Sequence, residues 1–195
     1  MAKDIMPQAK PRLSSSELRA KIAPFNIDRN KYPVLVIGIR GYYLNTMGEH
    51  GKNDRGIYDN AIFIETPSVT AAYNGNTDPS AFKKGSGKGA SKGMAVLKPG
   101  VWFAHKFDLH NDKYLALCQR LGEVVVTRDG DPPYEDKGMF GINIHRGGYN
   151  TTSSLGCQTI HPNQWESFIA LAKDQAKRYF GDKWNKTLIP YVLFE

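Results

Sequence analysis

Cysteine is scarce in this chain, which has only Cys118 and Cys157, and neither belongs to a Cys-x-x-Cys pair or a Cys/His zinc spacing. This scarcity argues against a disulfide framework and a structural zinc site. The sequence also has no run near the roughly 18 apolar residues that a spanning helix needs, and its first 31 residues have no apolar signal-peptide core. We expect a protein made in the cytoplasm without a signal peptide or a membrane span.

Acidic residues are outnumbered, with 19 Asp and Glu against 26 Lys and Arg, a net charge of +7. This surplus favours a polyanionic partner, such as a cell-wall polymer, nucleic acid or an acidic membrane face. Residues 83–93 concentrate four Lys and four Gly and are typical of a flexible basic loop. They lack the Gly-x-x-x-x-Gly-Lys-Ser/Thr order of a phosphate-binding loop. We therefore expect no nucleotide site and no specific nucleic-acid partner.

The 195 residues, 41% of them hydrophobic, suffice for one substantial core. Residues 1–31 are polar and interrupted by prolines, which predicts a flexible N-terminal arm with one short helical candidate at 16–22. An abrupt change to β-branched residues at position 32 marks the start of a domain over 32–195. Runs of β-forming residues predict strands at 32–39, 57–66, 94–107, 123–128, 138–145 and 188–194.

Helical periodicity is clear over residues 163–179, where apolar positions such as Trp165 and Phe168 recur at helical spacing. A second, short helix is predicted around Cys118 in residues 112–122, with Cys118 as a buried apolar side chain. His161, just before the long helix, is expected to cap it rather than to take part in catalysis. The predicted fold is mainly β with a few helices.

His145 ends a predicted strand, and Cys157 follows twelve positions later across a Gly- and Ser-rich loop. A free thiol is mostly protonated near neutral pH, so a nucleophilic cysteine needs a histidine or oriented backbone N–H groups to hold its thiolate. Both are available here, and the amides of Gly156 and Cys157 could form an oxyanion hole. A reactive Cys157 is then expected to alkylate below the ~8.5 pKa of a free thiol, whereas a buried structural thiol would resist.

The segment from His145 to Ser154-Leu-Gly-Cys157 resembles the His…Ser/Thr-x-Gly-Cys signature of YkuD-type L,D-transpeptidases. Leu97-Lys-Pro-Gly-Val-Trp102 is similar to that family's Thr-Pro-x-Gly-x-Phe strand entry, and Phe140-Gly-Ile-Asn-Ile-His145 to its run into the catalytic histidine. The resemblance covers about half the chain. The family usually has an aliphatic residue and then Arg or Asn after Gly-Cys, whereas this chain has Gln158 and Thr159.

The resemblance implies a β-sandwich-like catalytic domain in which Cys157 is the nucleophile, His145 its base, and a backbone carbonyl orients the imidazole. It also implies peptidoglycan stem peptides as substrate, through a thioester acyl-enzyme passed to water or to an amine. We expect hydrolysis, as in a phage lysis enzyme, because the chain has no export signal. The same segment is similar to phage-encoded proteins, and a phage origin would explain the missing signal peptide. The residues expected to bind substrate or the oxyanion are Gly156, Ser154, Arg146, Tyr149 and Gln158.

No cofactor or metal is expected. His105 and His110 stand an odd number of positions apart, so in a strand they point to opposite faces, and there is no His-Glu-x-x-His helix. Two alternatives stay open: a non-enzymatic basic protein that binds an anionic polymer or a protein partner, and a cysteine hydrolase acting on an amide outside the cell wall. The oligomeric state is not indicated.

Overall fold

A computed structural model describes residues 5–85 and 92–195. The fold is mainly β, as predicted. Its strands are β1 Leu35–Ile39, β2 Asn60–Glu65, β3 Thr70–Asn76, β4 Ala95–Leu97, β5 Gly100–His110, β6 Tyr114–Gln119, β7 Val124–Arg128, β8 Tyr134–Gly138, β9 Ile144–Arg146, β10 Gln158–Ile160 and β11 Ile189–Phe194. The helices are α1 Ser15–Ile22 and α2 Pro162–Phe180, each followed by a 3₁₀ turn, Ala23–Phe25 and Gly181–Lys183.

Eight of the strands form one sheet that closes on itself, in the order β1, β11, β5, β6, β9, β10, β3, β2. Strands β4, β7 and β8 form a separate small sheet. The apolar face of α2 packs on a core shared by both sheets, in which Trp165, Phe168 and Ala172 are buried with Leu117 and Val126. Burying this amphipathic face holds α2 in place, because a helix alone is marginal in water.

The parallel pairing of β9 with β10 positions the candidate catalytic residues. Ile144 lies opposite Gln158 and His145 opposite Thr159, and the Gln158 N–H donates to the Asn143 carbonyl at 2.9 Å. Cys157 therefore enters β10 beside Asn143, two positions before His145 on the neighbouring strand. Because side chains alternate along a strand, His145 and Cys157 emerge on the same face of the sheet.

The N-terminal segment packs against the closed sheet from residue 5 onward, whereas the sequence predicted a flexible arm over residues 1–31. Ser14 caps α1, and the buried Leu18 and Ile22 join a cluster with side chains of β1 and β2. The fully buried Glu65 carboxylate pairs with Arg19 at 2.9 Å and with Arg29. Arg19 and Arg29 thus neutralise a carboxylate on the sheet and connect the segment to it. Residues 1–4 lie outside the described part.

The predicted helix at residues 112–122 is wrong, since this segment contains β6. Its residues pair in an antiparallel ladder with β5, from His105 opposite Gln119 to His110 opposite Tyr114. Cys118 is fully buried, as predicted. A short apolar run fits both periodicities, and here the long partner strand β5 decided in favour of pairing. Strands β3, β8 and β10 were not predicted: β3 and β8 contain glycine and several polar residues, and β10 has only three residues.

The basic loop at 83–93 includes residues 86–91, which lie outside the described residues. Across residues 5–85 and 92–195, neither helix is both long and apolar enough to cross a membrane.

Candidate active site

A cleft of about 760 Å³ lies where residues of both sheets meet, and it contains His145, Gly156 and Cys157. The small sheet and the chain before it contribute Lys92, Ala95 and Arg128; strand β5 contributes His110. The remaining lining residues are Lys83, Gly93, Met94, Asn111, Arg120, Phe140, Gly141, Ile142, Asn143, Ser153 and Leu155.

The sulfur of Cys157 is held between two backbone groups of the segment before β9. Its S–H donates to the Gly141 carbonyl at 3.3 Å, and the Asn143 N–H points at Sγ from 3.4 Å. Cys157 keeps partial exposure to the cleft. The thiol is thus fixed in direction, with one N–H donor available to a developing thiolate.

His145 is oriented by a backbone carbonyl, the arrangement that the family resemblance implied. Its Nδ1 lies 2.8 Å from the Arg146 carbonyl oxygen, and the Tyr114 hydroxyl is 3.5 Å from the same nitrogen. Because a carbonyl only accepts, Nδ1 carries the proton of the neutral ring, and the lone pair is on Nε2. His145 also lines the cleft that contains Cys157.

Burial keeps both groups neutral at rest. It raises the pKa of the Cys157 thiol to about 11, against the smaller lowering effect of the Asn143 N–H. Burial also lowers the pKa of His145 to about 4, with a further contribution from nearby His110. The shift of the thiol pKa is opposite to the one expected of a preformed thiolate, so a nucleophilic Cys157 would have to lose its proton to His145 during the reaction. The resting pair is a thiol and a neutral imidazole.

The turn before Cys157 is built by Ser154 and Gly156. The buried Ser154 Oγ donates to the Cys157 carbonyl at 2.7 Å and accepts from the Gly156 N–H at 3.0 Å. Gly156 has a φ of +149°, and a Cβ there would lie 2.5 Å from the Ala95 carbonyl oxygen. Ser154 is thus a positioning residue. Since the Gly156 amide is already engaged, the Cys157 N–H is the remaining predicted donor for an oxyanion.

Four residues predicted to bind substrate or the oxyanion do not line the cleft: Ser154 in the turn described above, and Gln158, Tyr149 and Arg146. Gln158 is fully buried and accepts from the Tyr191 hydroxyl at 2.9 Å. Tyr149 is 66% exposed and lies near His161, which caps α2 as predicted by accepting from the Asn163 N–H. The exposed Arg146 side chain lies over the Tyr114 ring, so only its backbone carbonyl belongs to the site.

Sequence reasoning missed the polar residues that support the pair. His110 stacks on His145, and its Nδ1 lies 3.0 Å from Asn143 Nδ2. The Asn143 side-chain oxygen accepts from the Gln119 N–H at 2.9 Å, while the Gln119 Oε1 accepts from the Ile142 N–H at 2.9 Å. The only sequence signal was the Asn-Ile-His order before the loop. His110 and Gln119 lie too far away in sequence to be found by spacing.

No group of three or more His, Cys, Asp or Glu side chains within the described ranges is arranged to hold a metal ion. His105 is buried away from the cleft with its Nε2 2.8 Å from the Ile142 carbonyl, and His110 faces the cleft. Comparison with protein families, with curated proteins and with solved structures finds no match to this chain.

Proposed function

We propose that the chain is a cysteine-nucleophile enzyme of the YkuD-type L,D-transpeptidase kind that acts on peptidoglycan stem peptides. The observation that carries the proposal is the shared cleft of Cys157 and His145, with the sulfur directed by Gly141 and Asn143 and the imidazole directed by the Arg146 carbonyl. Cys118, the other cysteine, is part of the buried core and does not line the cleft; its S–H donates to the Asp108 carbonyl at 3.7 Å, and no histidine among the described residues shares its site.

The first half of the reaction forms a thioester. As Cys157 Sγ attacks the carbonyl carbon of the substrate, the thiol proton leaves its hydrogen bond with the Gly141 carbonyl and passes to His145 Nε2. The carbonyl oxygen becomes an oxyanion that accepts from the Cys157 N–H. When the tetrahedral intermediate collapses, the carbon–nitrogen bond breaks, and the leaving amine takes the proton from His145.

The second half of the reaction regenerates the free enzyme. His145, again neutral, removes a proton from water or from an acceptor amine, which attacks the thioester carbon. The sulfur leaves and regains a proton from His145. Water gives hydrolysis, the outcome we propose for a wall-degrading enzyme that acts at the cell wall once released from the cytoplasm, as a phage lysis enzyme does; an amine gives a transpeptidation product of different mass.

The test is to incubate purified peptidoglycan with the wild-type protein, with Cys157→Ala and with Cys118→Ala, and to compare the released muropeptides by mass spectrometry. We expect new fragments from the wild type and Cys118→Ala and none from Cys157→Ala. The mass change identifies the bond and the acceptor. Identical profiles for the wild type and Cys157→Ala would reject the proposal and favour the binding function or a substrate outside the cell wall.

A further inference from the structure

The side of the cleft formed by the small sheet carries an arrangement of charge that the cysteine chemistry does not use. Arg128, at the end of β7, and Lys92, just before β4, both line the cleft and both pair with the Asp136 carboxylate. Two cations share one carboxylate, so the group keeps one net positive charge. Both cations also lie over the Phe140 ring, Arg128 at 4.6 Å and Lys92 at 5.2 Å from its centroid.

Arg128 is held rigidly, and the partners found for it among residues 5–85 and 92–195 engage only part of its donors. Its side chain is 11% exposed, its Nε–H donates to Asp136 at 3.1 Å and an Nη1–H donates to the Gly93 carbonyl at 3.1 Å. These bonds use two of the five N–H donors of a guanidinium group. A fixed guanidinium whose remaining donors are available to the cleft that contains Cys157 is well suited to bind a carboxylate.

We propose that Arg128 and Lys92 form a subsite for a single carboxylate of the peptide whose carbonyl Cys157 attacks. This inference rests on the proposed function and names a chemical requirement of its substrate. One net positive charge matches one carboxylate, whereas a phosphate monoester would bring about −1.5 to −2. Among the described residues, two other cations line the cleft: Arg120, which is paired with Asp108 at 2.8 Å, and Lys83, whose side chain is exposed.

The experiment uses synthetic stem tetrapeptides in which the carboxylates are converted to carboxamides one at a time. For the wild type, we expect one conversion to lower kcat/KM by about tenfold or more, the loss of a charge-assisted hydrogen bond. In Lys92→Gln and in Arg128→Gln, the same conversion should change kcat/KM by less than about threefold. Thermal melting of each variant shows whether it is folded. If Arg128→Gln does not fold, Lys92→Gln alone tests the subsite.

Lys98→Gln is the matched control, because Lys98 also belongs to the small sheet region and pairs with Glu135 but does not line the cleft. Lys98→Gln should show the same ratio of kcat/KM between the carboxylate and carboxamide peptides as the wild type. Equal kcat/KM for every peptide in the wild type, or discrimination that survives both cleft substitutions, would overturn the subsite while leaving Cys157-dependent cleavage intact.

A binding measurement separates failure of the subsite from failure of the proposed function. The full chain with Cys157→Ala is titrated calorimetrically with the same peptides, with and without Lys92→Gln. Tighter binding of the carboxylate form that is lost with Lys92→Gln supports the subsite even if no peptide is cleaved. Equal binding of acid and amide forms, or no binding of either, overturns it.

Discussion

The imidazole rings of His110 and His145 lie face to face, with centroids 4.1 Å apart and 17° between their planes. Positive charge on one ring disfavours protonation of the other at this distance. Burial, followed by His110, lowers the pKa of His145, and burial, followed by Arg120, lowers the pKa of His110. Each ring is therefore harder to protonate than a free imidazole, and a charge on His110 opposes protonation of His145.

Removing His110 should move the acid limb of the pH profile to higher pH. Cleavage needs neutral His145, so kcat/KM falls as the pH drops through its pKa of about 4. In His110→Phe, which keeps a ring, and His110→Gln, which keeps hydrogen-bonding capacity, that pKa should rise part of the way toward ~6.5. The rise is partial because burial is the larger cause. The exposed His50→Gln should leave the limb in place, and an unmoved limb in both His110 variants would contradict the charge coupling.

Cys157 should alkylate slowly at neutral pH in the absence of substrate. Its pKa of about 11 leaves little thiolate, and the rate with iodoacetamide should climb as the pH rises toward that value. The measurement uses Cys118→Ala, so that Cys157 is the sole reporter, and the double variant lacking both cysteines gives the background. Rapid labelling near pH 6 would show a preformed thiolate and contradict a resting neutral pair.

Gly156→Ala should reduce both stability and cleavage. The φ of +149° is unfavourable for alanine, and the added Cβ meets the Ala95 carbonyl at 2.5 Å, which displaces the turn that carries Cys157. Gly100→Ala is the matched control, since its φ is +140° but nothing lies within 4 Å of the added Cβ. It should lose about 1–3 kcal/mol of unfolding free energy and keep its activity. Similar kcat/KM for the two variants would show that the turn tolerates displacement.

Arg146→Ala should leave catalysis nearly unchanged. The side chain is exposed and lies over Tyr114, while the group that orients His145 is the backbone carbonyl, which the substitution keeps. We expect a change in activation free energy within about 0.5 kcal/mol, measured as kcat/KM. A loss of a hundredfold would show instead that the guanidinium binds substrate.

Leu18→Ala should destabilise the whole domain by about 2–5 kcal/mol, because Leu18 is fully buried between α1 and the closed sheet. Leu121→Ala, at a position 45% exposed, should change the unfolding free energy by less than about 0.5 kcal/mol. Urea denaturation measures both. A negligible effect of Leu18→Ala would mean that the N-terminal segment is a flexible arm after all.

The sequence alone determined the mainly β class, the long helix and the pair of residues at the centre of the candidate site. Trp165 and Phe168 repeat with the helical period, and that period directly reports which face is buried. His145 and Cys157 could be paired because only a loop separates them and their strands are neighbours. Local pattern suffices where the interacting residues are close in sequence.

Only the tertiary structure could show the features that depend on residues far apart in the sequence. The segment 112–122 contains a strand because β5 pairs with it, and the N-terminal segment joined the core through the buried Leu18 and Ile22 and through the ion pairs of Glu65. His110 joined the site across a hairpin, and the resting protonation of Cys157 follows from its burial. Strand pairing, ion-pair burial and desolvation depend on which segments meet in space, so local sequence patterns cannot predict them.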